Sequence, residues 1–417
     1  MAAKGSIVGC RFRVGNKTVC FQPFDEAKAD GQRTTCWLFV VSNLNSQMQP
    51  DGIGLRLSSA FFSNVIEPIM SEHFPRLPFA AARIGLGSEV LGFDTEMSAD
   101  HDYGPSVQIF LTDADFSVEA DAVLEVLDTE LLDAFEGWPV RFPANTRPAV
   151  SVRRPGMAWS QHGVELYTVG AWCDRFLQRR FEAPLEWRDW LAYPEHFFLL
   201  VTAGRVLRDD LGELSVLRQR LNYFPCDVWL YKLAVQWGRI AEERAYVGRT
   251  GSVGDEIGSS IVAARMVENI MRVAFLVEQR YAPYPKWLGS AFSLLSSAKE
   301  LTPIIEKVLV ARGWRERERA LYEACQYLAR LQVRQHVPGA IDPTAASIHA
   351  RPFQFVDSLS IGASLRGAIE DEVLRDLPDI GAADQFLSAN FVRAVPELTQ
   401  AALSALLDTK IVRSDQT

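Results

Sequence analysis

Several absences narrow the reading of this sequence before any motif is considered. It has no apolar run near the length of about 20 residues that a membrane-crossing helix needs, and its start lacks the charged-then-apolar order of a secretory signal. No Cys-x-x-Cys pair occurs. The six cysteines (Cys10, Cys20, Cys36, Cys173, Cys226, Cys325) are scattered, which excludes a dense disulfide framework and fits a reducing cytoplasm. There is no basic excess either. Against 52 acidic residues stand 43 Lys and Arg, a net charge of −9, whereas a nucleic-acid surface needs a basic stripe to displace counterions. The six histidines show no metal-ligand spacing. Nucleophile-elbow, zincin and Walker-lysine patterns are missing, and the Gly85–Gly92 run fails the G-x-G-x-x-G pattern of dinucleotide sites. No internal repeat or low-complexity tract is evident.

What is present is an ordinary globular balance: 417 residues, 48% hydrophobic and 23% charged, enough chain for two domains with an extension. Residues 1–50 form an N-terminal extension with β-leaning runs at 11–21 and 35–41; an alternative is that translation begins near Met48. Residues 51–185 alternate helical and strand patterns. Phe61, Phe62, Val65, Ile66, Ile69 and Met70 fall on one helical face, 80–86 reads as a buried strand, 118–132 as a helix and 164–169 as a strand. From about 186 the pattern turns helical, with periodic stretches over 227–243 and 258–280, a break at Pro283 and Pro285, and a helix from Lys286. The expected fold class is α+β: a small mixed-sheet domain, then an all-helical domain.

The stretch that organises the chain is 85–111. A Gly87-Ser88 turn is followed thirteen residues later by Asp100-His101-Asp102, and then by the β-rich run 107–111. In an extended segment residues i and i+2 share a face, so Asp100 and Asp102 would present two carboxylates together. Paired carboxylates repel unless a cation sits between them, and hard oxygen ligands of this kind suit Mg²⁺ with substrate phosphates. A Gly-Ser turn can offer backbone N–H groups and a hydroxyl to phosphate oxygens.

Gly-Ser followed at this distance by Asp-x-Asp resembles the signature of the DNA polymerase beta-type nucleotidyltransferase superfamily. The fuller string, with Gly92, Asp94, Ser98 and the Asp-His-Asp-Tyr-Gly-Pro ending, resembles a nucleotidyltransferase-like branch of it in bacteria and fungi, over roughly residues 50–410. His101 departs from the pattern, which usually has an apolar residue there. The resemblance implies a third acid on a later strand, and Glu165 in Val-Glu-Leu-Tyr-Thr-Val is the match, with Asp174 as fallback. It implies two Mg²⁺ ions on Asp100, Asp102 and Glu165, and an NTP, expected to be ATP, held at Gly87 and Ser88. A likeness to aminoglycoside nucleotidyltransferases implies that Arg272, on a helix, and Lys286, beyond its end, reach the triphosphate. The same residues have a plainer reading: an arginine in an ion pair and a lysine lying over Trp287. Tyr281 and Tyr284 could stack on a base or simply pack.

Lys232 and Arg249 are further candidate cations. The Gly-rich 247–255 stretch carries no phosphate-binding signature and reads as a connector between helices. Arg351-Pro352-Phe353 and Asp384-Gln385-Phe386 also resemble positions of the branch, without a chemistry attached. The acceptor expected from this reading is a small hydroxylated molecule, with no nucleic acid, no membrane and a cytoplasmic location. The alternative is a non-catalytic nucleotide-binding regulator or antitoxin-like interaction protein of the same fold.

Overall fold

The structure is a computed structural model. It describes residues 11–14, 17–20, 22–27 and 33–38 within the first fifty positions, and 52–97, 104–141, 157–158, 162–179, 184–346 and 352–408 beyond them. The chain divides into two compact units, Met1–Pro50 and Asp51–Thr417. In the first, two antiparallel pairs are formed, Arg11–Val14 with Lys17–Cys20 and Gln22–Ala27 with Arg33–Leu38.

The second unit opens with a helix, Ile53–Phe61, that passes through a π turn at Phe62–Ile66 and continues as Glu67–His73. Its start is closed by a distant side chain: the N–H of Gly54 donates to Asp94 Oδ2 at 2.7 Å. A carboxylate at that end satisfies one of the orphan donors and complements the helix dipole. Asp94, noticed in the sequence as part of a family string, therefore works as a helix cap.

A mixed five-stranded sheet follows, built from β1 (Ala80–Arg83), β2 (Val107–Phe110), β3 (Met157–Ala158), β4 (Val164–Tyr167) and β5 (Arg205–Asp209), in the order β5-β1-β2-β4-β3. β1 runs antiparallel to β2 with Ala82 opposite Gln108, and β4 runs parallel to β2 with Glu165 opposite Gln108. The parallel pair needs a crossover, supplied in part by the helix Asp113–Glu130. That helix starts five residues before its expected start, because Thr112 caps it by accepting from the Asp115 N–H at 3.1 Å. Alternation sorts the sheet into two faces. Val107, Ile109, Val164 and Leu166 join Phe61, Ile66, Val123 and Leu127 in one apolar core. Gln108, Phe110, Glu165 and Tyr167 look the other way.

The edge strand β5 lies past residue 185, so the sheet borrows from the stretch read as purely helical. It pairs antiparallel with β1, Arg205 opposite Arg83. The junction demands glycine at 204: its φ is +68°, and a Cβ there would sit 2.1 Å from the Arg83 carbonyl oxygen. Apart from β5 and a two-residue pairing of Ala345–Ala346 with Phe355–Val356, the described residues after 185 that form regular structure are helical. Three long helices, Cys226–Glu243, Glu256–Val277 and Trp314–Arg334, make the core of that region, with Trp237, Tyr231 and Phe275 fully buried. The chain is thus α+β, a mixed-sheet region followed by a helical one. Among the described residues no helix is long and apolar enough to cross a membrane.

Candidate nucleotide site

Strand direction decides where the candidate residues gather. The end of β1, the start of β2 and the start of β4 lie at one edge of the sheet, because β1 runs antiparallel to β2 and β4 runs parallel to β2. The Gly87-Ser88 turn leaves β1 at this edge. Asp100 and Asp102, with His101 and Ser98, lie outside the described residues, between Met97 and Gly104 in the stretch that leads into β2. Glu165 stands on β4 one residue from that edge, half-buried, beside Gln108. Gln108 is itself buried and its Oε1 accepts from the Ile84 N–H at 3.1 Å, which ties the middle strand to the base of the turn. Glu165 also acts on Tyr167, two residues along the same face. Burial first, then the Glu165 charge, raise the Tyr167 hydroxyl well above its ordinary range.

The turn is held from its flanks and left open at its tip. Gly85 N–H donates to Leu200 O at 2.8 Å, Gly204 N–H to Val90 O at 3.0 Å, and Phe93 N–H to Ser88 O at 2.9 Å. The Arg83 guanidinium donates to the carbonyls of Ile84 and Leu86, at 3.1 and 3.0 Å, and pairs with Glu89. That pairing neutralises the one acid in the turn. Gly87 has φ +132°, and a Cβ there would meet the Glu89 carboxylate at 2.4 Å. Among the described residues, no acceptor takes the N–H of Gly87 or Ser88, and the Ser88 hydroxyl has no partner. Two adjacent N–H groups open to solvent beside a hydroxyl are donors that an anion can use.

The helical region meets this turn through a ring stack. Phe93, at the far end of the loop, lies on Trp287 with ring centroids 5.4 Å apart. Lys286 precedes Trp287 and is exposed, its ammonium 4.8 Å from the centre of the Trp287 ring. The plainer reading of Lys286 as a lysine over a tryptophan is therefore realised, and that tryptophan is the one that abuts the Gly-Ser loop. Trp287 Nε1 is buried without a partner.

Arg272 is placed differently. It is buried, and Glu268 Oε1 accepts from its Nε and Nη2 at 3.0 and 2.8 Å, with Asp384 Oδ2 4.0 Å away. Its charge is committed to acids of the helical region, as in the ion-pair reading. Lys232 is fully buried between Glu195 Oε1 at 3.1 Å and Asp384 Oδ1 at 3.0 Å, over the Phe224 ring. Glu195 Oε2 accepts from the Ala282 N–H at 2.6 Å, so this ion cluster fixes the loop that leads to Lys286. Asp384-Gln385 finds its role in the same cluster, since Gln385 Nε2 donates to Lys232 O and Gln236 Oε1, each at 2.9 Å.

Tyr281 donates to Leu221 O at 3.0 Å within an aromatic cluster, while Tyr284 is 38% exposed at the start of the helix Pro285–Phe292. Arg249 lies over Tyr246. The Gly-rich 247–255 stretch is mostly the short helix Tyr246–Gly251 rather than a loop. Its glycines serve packing: a Cβ at Gly248 would lie 2.5 Å from Phe353, and one at Gly251 2.2 Å from Trp314. Arg351 lies outside the described residues, as do its neighbours from 347.

Among the described residues no three His, Cys, Asp or Glu side chains form a ligand cluster. Of the three expected Mg²⁺ ligands only Glu165 is described, and a half-buried carboxylate beside a neutral amide suits a hard cation. Elsewhere, a cavity of about 10 Å³ bounded by Arg244, Glu318, Tyr322 and Phe355 has room for one water and no larger ligand.

A family model described as a domain of unknown function (DUF4037) matches residues 190–288. That span includes Lys232, Arg272 and Lys286 and stops short of the Gly-Ser turn. No curated protein matches the sequence. Among solved structures, a nucleotidyltransferase-like protein from Exiguobacterium sibiricum 255-15 aligns over 71% of this chain and 98% of its own at 12% identity, with a TM-score of 0.30. That likeness is too loose to carry a function across.

Proposed function

We propose that this protein is a Mg²⁺-dependent nucleotidyltransferase that moves a nucleoside monophosphate from an NTP, ATP foremost, to a hydroxyl of a small-molecule acceptor. The observation that carries the reading is the open tip of the Gly-Ser turn. Among the described residues the N–H groups of Gly87 and Ser88 have no acceptor, and the turn stands at the sheet edge that Glu165 also borders. Backbone donors left free in a built turn favour an anion.

In this account Gly87 and Ser88 bind the β- and γ-phosphates, and Lys286 faces them across the Phe93–Trp287 stack. The acceptor oxygen attacks the α-phosphorus in line. The bond from that phosphorus to the β-bridging oxygen breaks, and pyrophosphate leaves with Lys286 offsetting its charge. Glu165 orients the acceptor hydroxyl and takes its proton. Asp100, Asp102 and Glu165 would hold Mg²⁺, which supplies charge neutralisation at the α-phosphate. Positioning and fixed charge supply most of the rate in such chemistry. Arg272 has no part in it, being buried among its own acids.

The test is pyrophosphate release by the full chain with each of the four NTPs and Mg²⁺, across a panel of hydroxylated metabolites and aminoglycosides. Release that requires one acceptor and falls at least a hundredfold in Glu165→Gln supports the proposal. Nucleotide binding without release under any condition favours the non-catalytic regulator instead.

A further inference from the structure

Arg83 and Glu89 form an ion pair within the Gly-Ser turn, and the reaction described above uses neither. The carbonyls of Ile84 and Leu86 anchor the Arg83 guanidinium at 3.1 and 3.0 Å, and the Glu89 carboxylate completes its contacts. Its Nε is buried with no hydrogen-bond partner among the described residues. Both side chains are largely shielded from water, Arg83 at 13% exposure and Glu89 at 12%.

The Glu89 carboxylate also lies against Gly87. Its two oxygens come within 2.4 and 2.5 Å of where a Cβ on Gly87 would stand, so they are within about 4 Å of the Gly87 Cα itself. A carboxylate offers about four lone-pair sites, yet among the described residues this one accepts from Arg83 alone. It takes neither the Gly87 nor the Ser88 N–H. A negative charge therefore stands beside the open donors of the turn without using them. A phosphate that settles on those N–H groups meets a like charge at close range, where shielding from water leaves the repulsion strong.

One exchange removes this conflict. We propose that Arg83 is a phosphate-binding residue of the turn, and that the Glu89 carboxylate holds its place until a phosphate group displaces it. The two carbonyl bonds keep the guanidinium where it is, so only its anionic partner changes. A guanidinium fork matches phosphate oxygens as well as it matches a carboxylate. The proposal rests on the reading of the Gly-Ser turn as the triphosphate site, and it gives that site a cation of its own beside Lys286. No net charge is buried in the empty turn, and one positive charge is released to the ligand when Glu89 leaves.

The experiment uses the full chain without nucleotide or Mg²⁺, titrated calorimetrically with inorganic tripolyphosphate at fixed ionic strength. The wild type binds it saturably. Glu89→Gln, which keeps the shape and removes the competing charge, binds it at least about fivefold more tightly. Arg83→Met binds it at least about tenfold more weakly, because a charge-assisted donor is lost. Glu130→Gln, the same change of net charge on the exposed end of the helix Asp113–Glu130, leaves binding within about twofold. A pair that merely braced the turn would give the other pattern, with Glu89→Gln and Arg83→Met both weakening the anion.

The proposal is overturned if Glu89→Gln binds no more tightly than the wild type, if Arg83→Met binds equally well, or if Glu130→Gln tightens binding as much as Glu89→Gln. It falls together with the turn as an anion site if neither the wild type nor Glu89→Gln binds tripolyphosphate. Opposite shifts in Glu89→Gln and Arg83→Met with no nucleotide transfer under any condition would remove the enzyme reading and keep this one.

Discussion

Lys286 and Lys232 are both lysines of the helical region, and their surroundings differ in every respect that matters for function. Lys286 is exposed, has no acidic partner among the described residues, and lies over the tryptophan that abuts the Gly-Ser loop. Lys232 has no exposure and is bracketed by two carboxylates from distant parts of the chain. A cation available to a ligand is one the fold has not already neutralised. By that criterion Lys286 is the cation left open in the proposed site, and the Lys232 cluster is a brace that sets the 281–287 loop.

The comparison can be broken at its catalytic end first. Asp102→Asn, which preserves shape and removes one charge, should lower nucleotide transfer by about three orders of magnitude or more, with the circular dichroism spectrum unchanged. Turnover near wild type would remove the metal from the account. At the other end, Lys232→Met strands Glu195 and Asp384 as buried acids. Denaturant unfolding should show a loss of about 3–5 kcal/mol, and a loss below about 1 kcal/mol would mean the cluster does not brace the region. Gly204→Ala should cost about 2–4 kcal/mol, since it puts a Cβ against the Arg83 carbonyl at a positive φ. An unchanged midpoint would show that the β1–β5 junction relaxes freely.

The smallest effect is on pH dependence. Burial first, then the like charge of Arg393, lowers His196 to about 4, against an ordinary value of about 6.5. The unfolded chain therefore takes up the proton first. This contribution is complete above about 6.5 and is lost as pH falls through 4, by about 3 kcal/mol in total. His196→Phe should flatten the stability profile across that window, and an unchanged slope would place the titration elsewhere.

Much of the architecture was legible because it is written in local periodicity. The apolar face of Phe61, Phe62, Ile66 and Met70 marked a buried helix, and the 80–86 and 164–169 runs marked two of the sheet strands, with slightly different ends. Other features depend on partners far away in the chain. Asp94 could be read as part of a family string, but its bond to Gly54 exists only once residues forty positions apart meet. The glycines at 248 and 251 gave a loop-like composition, and their cause is the closeness of Phe353 and Trp314. β5 was missed because Arg205–Asp209 has no clear alternation; all five residues are half-buried.

The candidate site divides in the same way. The Gly-Ser turn was readable from composition, since only glycine allows its backbone. Whether a given arginine is spent on an ion pair was not, and Arg272 and Arg393 look alike in sequence. Glu268, four residues before Arg272, is the local hint that the first is paired.

The most direct test of the central claim is calorimetric titration of Mg²⁺-ATP into the wild-type chain, Lys286→Ala and Ser88→Ala. If the open N–H groups of the turn hold the triphosphate with Lys286 opposite, the wild type binds one nucleotide and Lys286→Ala binds it about tenfold more weakly, with Ser88→Ala between the two. Absence of binding in the wild type, or equal binding by all three chains, would contradict it.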